Sequence, residues 1–344
     1  MNETAPPLDP RQVQILRALV ESYIHSAQPV GSIALSKSPD FGLSSATIRN
    51  AMAELEEAGY LEQPHTSAGR VPTDKGFRFY IDCLLKVEPL DDEVKRHIRH
   101  SLDEGTDAAS ILQNTSRVLS GLSQHVGLIL APKPEWTKLK HLEFLPLRER
   151  QILVILVTEQ GVVQNRLFET EESYSKVELQ RMSNYLNSLL AGLDLAEAKV
   201  RILEEMAGQQ AALDRLLKQA LILSQQTFAA ETDGLIIEGE KNFLYTQEFS
   251  NLNKIREILA ALEEKHRLVA FLDRAIKAPG VQIFVGSESR LVDLSDCSLI
   301  VAQYGQADKP LGSLGVIGPT RMDYSKLIPM VEYAARSLSQ IFTG

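Results

Sequence analysis

The sequence of 344 residues has little of what secreted or membrane-spanning proteins need. Its two cysteines, Cys83 and Cys297, are too few and too far apart for a disulfide framework. The longest uninterrupted apolar run, from Ile152 to Val157, is far shorter than the ~20 residues of a membrane-spanning helix. The N-terminus, MNETAPP, has no basic segment followed by an apolar one, so no secretory signal is predicted. These absences predict a cytoplasmic protein with free thiols and no membrane partner.

Motifs of cofactor and catalytic chemistry are also missing. The run GSLGVIG, from Gly312 to Gly318, lacks the spacing of a dinucleotide- or phosphate-binding loop, which favours a bulge or a strand-to-loop turn. His97 and His100 can share one helix face, but no cysteine or carboxylate at metal-ligand spacing accompanies them. No nucleophile elbow or Cys–His pairing stands out. We therefore predict no cofactor, no metal and no enzymatic activity.

The most informative segment is LSSATIRNAMAELEEAGYLEQPHTSAGRVPTDKGFRFY, from Leu43 to Tyr80. Either Ser44 or Ser45 is a suitable N-cap for a helix. The apolar residues that then repeat at helical spacing are Ile48, Ala51, Met52 and Leu55. Gly59 is suited to ending this helix, because glycine readily adopts positive φ. The segment therefore predicts a short amphipathic helix.

The opposite face of this helix carries polar side chains near its N-terminal end. They are Thr47, Arg49 and Asn50. Arginine can hydrogen-bond to guanine O6 and N7, asparagine can pair with adenine, and threonine can contact a base or phosphate. A single capped amphipathic helix is more often a core element. Its place within a larger arrangement favours a helix that reads the major groove of DNA. The candidate DNA contacts of this helix are Ser44, Ser45, Thr47, Arg49 and Asn50.

A strand, a turn and a return strand are predicted after the helix. Tyr60 and Leu61 start the first strand, and Val71 belongs to the second. The candidate DNA contacts in and beyond the turn are His65, Thr66, Ser67, Gly69, Arg70 and Lys75. Small residues with basic flanks suit a close approach to phosphates or to the minor groove.

Two further helices are predicted before the DNA-reading helix. Asp9 caps a helix that has Pro10 at its first position. The residues from Pro29 to Ser32 turn the chain into a second short helix, from Ile33 to Ser36. Three helices followed by a hairpin are typical of a winged helix-turn-helix, so the sequence predicts sequence-specific binding to double-stranded DNA.

The charge of the chain differs from that of many DNA-binding proteins. The formal net charge is −9. From Arg11 to Tyr80 there are seven basic and seven acidic residues, so this region is about neutral. A weak basic footprint lowers non-specific affinity for DNA. We therefore expect binding to depend on dimerisation and on direct base contacts.

Beyond Tyr80 the pattern alternates between strands and helices. After an acidic break around residues 87–92, a strand-rich block includes a hairpin formed by Gln151–Thr158 and Val162–Phe168. A mainly helical interval and a second strand block follow, and the chain ends in a helix from Tyr324 to Phe342. Two strand blocks around a helical interval suggest one domain inserted into another.

The run SSATIRNAMAELEEAGYLEQPHTSAGRVPTDKGFRFYID resembles the signature of the HrcA family of heat-inducible transcription repressors. Its first part, ATIRNAMAELEEAGYL, is similar to many bacterial winged-helix regulators, including the GntR type. The part PHTSAGRVPTDKGFRFY is much more particular to HrcA. The resemblance continues through GLIIEGEKNFLY and GSLGVIGPTRMDY to the C-terminus, so it covers essentially the whole chain.

The resemblance implies an α+β protein with three parts. An N-terminal winged helix-turn-helix is expected over residues 1–86, followed by a linker over 87–104. A GAF-like α+β domain in two segments, 105–199 and 278–344, is expected to be interrupted by a mainly helical dimerisation domain over 200–277. The resemblance further implies a homodimer that binds an inverted-repeat operator upstream of chaperone operons, is released on heat shock, and is kept active by the chaperonin GroEL.

Other interpretations of the sequence stay open. A metabolite in the GAF-like domain could control DNA affinity, although a pocket filled by its own side chains is favoured. A third hypothesis is an adaptor whose winged helix binds protein instead of DNA. The uncharged run QILVILVT, from Gln151 to Thr158, is an aggregation-prone segment when exposed, or simply a buried central strand.

Overall fold

The structure is a computed structural model that describes residues 8–37, 42–65, 68–132, 138–159, 161, 163–170, 172–207, 219–224, 234–246, 249, 252–275, 278–306 and 310–343. The helices are α1 Pro10–Ser26, α2 Ser32–Ser36, α3 Ser45–Glu57, α4 Asp74–Phe79, α5 Asp92–Asp103, α6 Ala108–Ser123, α7 Lys176–Leu190, α8 Leu195–Ala207, α9 Leu252–Glu263, α10 Lys265–Ala275 and α11 Tyr324–Thr343. The strands are β1 Leu61–Glu62, β2 Val71–Pro72, β3 Val126–Leu130, β4 Leu139–Arg148, β5 Gln151–Thr158, β6 Val163–Glu169, β7 Leu235–Glu238, β8 Val281–Phe284, β9 Cys297–Gly305 and β10 Pro310–Pro319. The protein is therefore of the α+β class.

The first elements, α1 to α4 with the hairpin β1–β2, form an N-terminal unit. The side chain of Asp9 accepts a hydrogen bond from the Gln12 backbone N–H, and the Gln12 side chain bonds back to the Asp9 N–H, which confirms the predicted cap. Ser44 is the N-cap of α3, which decides between the two candidate serines. Gly59, just beyond α3, has a φ of +76°, as predicted for a helix-ending glycine.

The central element of the chain is a five-stranded sheet, which together with α5, α6, α9, α10 and α11 we call the main unit. The strand order is β7-β3-β10-β9-β8, and every neighbouring pair is antiparallel. Both faces of this sheet are covered. Ile129 and Ile300 pack in the same cluster as α6 and α11, whereas Leu128 and Leu299 pack with α9 and α10. Burial on both faces explains why these strands are apolar at nearly every position.

Strands β4, β5 and β6 form a second, three-stranded antiparallel sheet. One face of it packs against α7, and with α8 and residues 219–224 these elements make a separate hydrophobic cluster. We call this the small-sheet unit. The run QILVILVT is its central strand, β5, in which buried residues alternate with half-buried ones. This segment is therefore buried on one face only.

The core clusters divide the chain differently from the expected bounds. The dimerisation insert was expected at 200–277, yet β7, α9 and α10 from that range pack with the five-stranded sheet. The strands of the small-sheet unit lie within the expected GAF-like segment 105–199 but do not pair with the main sheet. The difference arises at β7, because its four residues pair with β3 and bring the chain back to the main sheet before residue 240.

Most of the expected linker, residues 87–104, is also helical. Helix α5 begins at Asp92, where the Asp91 side chain accepts a hydrogen bond from the Glu93 N–H. Ile98 and Leu102 on this helix are buried in the core that contains α6 and α11. Two of the acidic residues that suggested a linker, Asp91 and Asp92, are therefore the N-cap and the exposed first residue of a helix.

The N-terminal unit packs directly on the main unit. One hydrophobic cluster contains residues of α1, α3 and α4 together with residues of the main sheet and α11. The ring of Phe77 on α4 lies 6.3 Å from the ring of Tyr324, which begins α11, and both side chains are buried. These contacts hold the N-terminal unit against the main sheet.

His125, just before β3, is the histidine whose acidity the fold changes most clearly. Burial, followed by the nearby charge of Arg321, lowers its pKa from 6.5 to about 4. Its backbone carbonyl accepts a hydrogen bond from Asn242 Nδ2 at 2.9 Å. Opposite the ring lies Gly318, where an added Cβ would come within 2.7 Å of His125 Nδ1. The imidazole is therefore held neutral in a tight site.

We predict that His125 makes the fold less stable as the pH falls from about 6.5 to about 4. The unfolded chain takes up a proton at His125 in this range and the folded chain does not, so acid favours unfolding. His125→Gln should reduce the acid-induced loss of unfolding free energy by about 1–3 kcal/mol. Denaturant unfolding at several pH values measures this. His100→Gln, at a side chain that is 75% exposed, is the control. Equal losses in His125→Gln and the unmodified protein would contradict the prediction.

Candidate nucleic-acid interface

The first turn of α3 is fixed by two of the predicted contact residues. Ser44 Oγ accepts a hydrogen bond from the Thr47 backbone N–H at 3.1 Å, and the two hydroxyl oxygens lie 2.9 Å apart. Ser45 is the first residue of the helix and is half-buried. The two serines and Thr47 therefore form the start of α3. Ser44 is exposed.

Arg49 and Asn50 lie on the exposed face of α3. Ile48 and Ala51, on either side of them in sequence, are buried in the N-terminal core. The helix therefore presents a guanidinium and an amide next to each other to solvent, one turn from its start. Both groups can form paired hydrogen bonds with the edge of a base.

The return strand of the hairpin is joined to the loop before α2. The backbone N–H groups of Arg70 and Val30 each donate to the carbonyl of the other at 2.9 Å. A Cβ on Gly69 would lie 2.5 Å from the Val30 carbonyl carbon and oxygen. Gly69 is therefore required for this close approach of two backbones, which is a structural role at a position that we predicted as a DNA contact.

The side chain of Arg70 is bound within the N-terminal unit. Its Nε lies 2.8 Å from Glu56 Oε2, near the end of α3, and 21% of the arginine side chain is exposed. The ion pair thus links the hairpin to α3. Glu56 therefore helps to hold the hairpin against α3. The sequence did not predict this role, because nothing in the helix pattern distinguishes Glu56 from neighbouring surface acids such as Glu57.

Lys75 lies at the other end of α3 from Arg49. Its Nζ donates to the Ala58 carbonyl at 2.7 Å and lies 4.3 Å from the centre of the Tyr60 ring. A cation is favourable there, because the carbonyls at a helix C-terminus are partly negative. Nine residues of helix separate Arg49 from Ala58 by about 13 Å. The structure therefore does not bring Lys75 together with the polar face of α3.

The tip of the hairpin lies partly outside the described residues. Thr66 and Ser67 belong to that part, whereas His65 is described and exposed. The Gln63 side chain donates to the Ala68 carbonyl at 3.1 Å and closes the turn. His65 thus stands at the edge of the turn, as a contact to phosphate would require.

The described ranges hold neither a cluster of metal ligands nor a membrane-spanning helix. There, no group of three or more His, Cys, Asp or Glu residues is arranged to hold a metal ion. His97 Nδ1 is bonded to the Glu93 carbonyl at 3.0 Å, and His100 Nε2 lies 3.2 Å from Glu104. No described helix is long and apolar enough to cross a membrane.

Comparison with known proteins places this arrangement in a family. The family model described as the HrcA protein C terminal domain matches residues 109–328. The heat-inducible transcription repressor HrcA of Geobacter sulfurreducens is 48% identical over 335 residues, which are 97% of this chain and 98% of that protein. The protein of the same name from Syntrophobacter fumaroxidans is 44% identical over 338 residues, 97% of each chain.

A solved structure agrees with the fold over the same extent. A crystal structure described as that of a hypothetical protein superimposes with a TM-score of 0.66 at 25% identity, over 98% of this chain and 99% of its own. The 48% identity to the Geobacter sulfurreducens protein extends over 97% of this chain, so it includes both the N-terminal unit and the rest. The chain therefore belongs to the HrcA family of heat-inducible transcription repressors.

Proposed function

We propose that this protein is a transcription repressor of heat-shock chaperone operons, which binds an inverted-repeat DNA operator as a homodimer and releases it on heating. The observation that carries the DNA-binding part is the polar face of α3, where Arg49 and Asn50 are exposed side by side. The known relatives named heat-inducible transcription repressors support the regulatory part. No catalytic chemistry is needed for such a function.

The architecture fits this proposal. We interpret α1 to α3 with the hairpin β1–β2 as a winged helix-turn-helix, in which α3 enters the major groove. We interpret the five-stranded antiparallel sheet, with helices on both faces, as a GAF-like domain. Because the small-sheet unit has a hydrophobic cluster of its own, we assign the inserted dimerisation domain to it, within residues 138–224.

The outer face of the small sheet supports homodimer formation. Leu145, Leu153 and Leu167 stand side by side across β4, β5 and β6, and Val157 and Val163 form a second row. The two members of these rows on β6 are more than half exposed, with 58% for Val163 and 55% for Leu167. An exposed apolar face on a sheet marks a protein contact. A second copy is the fitting partner, because an inverted repeat requires two equivalent DNA-binding units.

We further propose that the chaperonin GroEL maintains the active protein in the cytosol. The central strand β5 is uncharged, free of proline and rich in β-branched and aliphatic residues. Until the small sheet forms its dimer contact, this strand leaves an apolar face uncovered. Such a surface promotes misassembly and is typical of chaperonin clients. A chaperonin occupied by other clients during heat shock would leave less active repressor.

The proposed function is tested by a DNA titration at fixed salt, using the chaperone-operon inverted repeat and a scrambled repeat of the same composition. We expect tighter binding to the inverted repeat by about 1,000-fold or more, as for other specific DNA-binding proteins. A temperature ramp should abolish this binding. Equal affinity for the two DNAs would contradict the proposal.

The chaperonin part of the proposal is tested after the same ramp. The heated protein is cooled with GroEL and ATP, with ATP alone, or with an inert protein. We expect the active fraction to recover only when chaperonin is present. Full recovery of operator binding in its absence would contradict this part and leave repeat-specific binding intact.

Arg49→Ala should weaken operator binding by about 1–3 kcal/mol and relax base preference at one position of each half-site. Arg70→Ala should weaken binding more evenly across sequences, because loss of the Glu56 ion pair loosens the whole hairpin. Titration against single-base operator variants distinguishes the two patterns. Arg96→Ala, at an exposed arginine of α5, is the matched control. An unchanged base preference in Arg49→Ala would argue against base contact by Arg49.

Leu167→Glu should weaken dimerisation about tenfold or more, since it places a charge in the apolar face that the second copy would cover. Sedimentation equilibrium measures the monomer–dimer constant. Val177→Glu, on the exposed side of α7 with 71% of the residue accessible, controls for added charge in the same unit. An unchanged dimer in Leu167→Glu would assign dimerisation to another surface.

A further inference from the structure

Helix α4 joins the N-terminal unit to the main unit through an arginine fork. Arg78 Nε donates to Glu288 Oε1 at 2.9 Å, and a second guanidinium nitrogen donates to the other carboxylate oxygen. That same nitrogen donates to the Ile283 carbonyl at 2.6 Å, on the edge strand β8. A bidentate pair of planar groups fixes orientation as well as distance.

A second contact lies one turn earlier on the same helix. The Asp74 carboxylate accepts hydrogen bonds from Ser287 N–H at 2.9 Å and from Ser287 Oγ at 2.8 Å. Beside it, Gly286 has a φ of +52°, and the Asp74 carboxylate fills the space that a Cβ at this position would need. Residues 283–288 therefore form a receptor for α4, which together with Asp74 and Arg78 we call the α4 clamp.

The clamp is partly shielded from water. Burial raises the pKa of Glu288, but the hydrogen bonds from Arg78 and from the Val285 N–H outweigh it, so the pKa lies below its ordinary value. The Arg78 side chain is 29% exposed and that of Glu288 34%. The pair therefore stays ionised at neutral pH, and its fixed geometry matters more than its strength.

The clamp is mechanically connected to the DNA-binding elements. Helix α4 follows β2 after a single residue, Thr73, whose hydroxyl donates to the Gly59 carbonyl at 2.7 Å. Gly59 lies directly after the last turn of α3. A change in the angle of α4 on the main unit would consequently turn α3 with it.

We propose that Asp74 and Arg78 are positioning residues, which set the distance and angle between the two α3 helices of the dimer and thereby select the spacing of operator half-sites. They would not contact DNA themselves. This inference rests on the proposed function, because it requires a dimer on an inverted repeat.

Spacing is the property that such a clamp would control. B-DNA turns once in about 10.5 base pairs, so each base pair added to the spacer rotates one half-site by about 34° relative to the other. Two rigidly mounted units bind only the spacing that matches their separation. Two loosely mounted units accept several spacings but gain less from the correct one.

The test compares operators whose spacers are lengthened or shortened by one, two and five base pairs. Full-length unmodified protein should lose about tenfold or more in affinity on the altered spacers, like a protein that loses a half-site contact. The double variant Arg78→Gln with Glu288→Gln removes both charges and the fork, and it keeps the size of the Glu288 side chain. It should reduce this loss to about threefold or less, while affinity for an isolated half-site stays within about twofold.

Two further variants separate positioning from folding. Asp74→Asn weakens only the second contact and should show a smaller change in the same direction. Arg78→Lys keeps a positive charge beside Glu288 and Asp82, so it should retain part of the spacing selectivity, which a variant that is only destabilised would not do. Arg267→Ala removes an arginine that pairs with Glu264 and Asp293 within the main unit, and should keep full selectivity.

The outcomes distinguish a failure of the proposed function from a failure of this inference. If the unmodified protein does not prefer the inverted repeat over the scrambled one, the proposed function is overturned, and this inference with it. If the unmodified protein prefers the repeat and all the clamp variants keep its spacing selectivity, the inference alone is overturned. Broadened spacing with intact half-site affinity supports both.

Discussion

A shared apolar core between the N-terminal unit and the main sheet is the constraint on which the rest of the structure depends. Phe77 reaches Tyr324 across the boundary, and the surrounding cluster draws on α1, α3 and α11 alike. Because a packed interior has few alternative arrangements, such a boundary holds the two units together in a way that a solvated linker does not. The polar contacts of Asp74 and Arg78 then add direction to a contact that the apolar side chains hold together.

The two sheets differ in how many of their faces are covered by the rest of the chain. The main sheet is covered on both faces and has apolar residues at successive positions, so it is a buried sheet against which helices pack on both sides. The small sheet is covered on one face only, and its other face carries Leu153 and Leu167 towards solvent. One sheet therefore completes its packing within the chain, while the other is suited to completing it with a second chain.

Local sequence signals predicted the N-terminal unit well, because its elements are capped and short. Asp9 and Ser44 each occupy the N-cap where their side chains can bond the first helical N–H groups. The domain bounds could not be obtained in this way, since β7 resembles any short apolar strand and only its pairing with β3 assigns it to the main sheet. The roles of Arg70 and Lys75 were equally hidden, because a basic residue near a hairpin gives no sign of whether an internal acceptor lies within its reach.

The ion pair between Arg70 and Glu56 has a consequence for how such a protein would travel in a cell. A basic residue that is neutralised internally releases few counterions from DNA, so the chain would hold random sequence only briefly. Sliding along the chromosome would contribute little to its search, and most copies would diffuse free between encounters. A large share of such a repressor would therefore be free of DNA. A partner that binds this free repressor would lower operator occupancy by mass action alone.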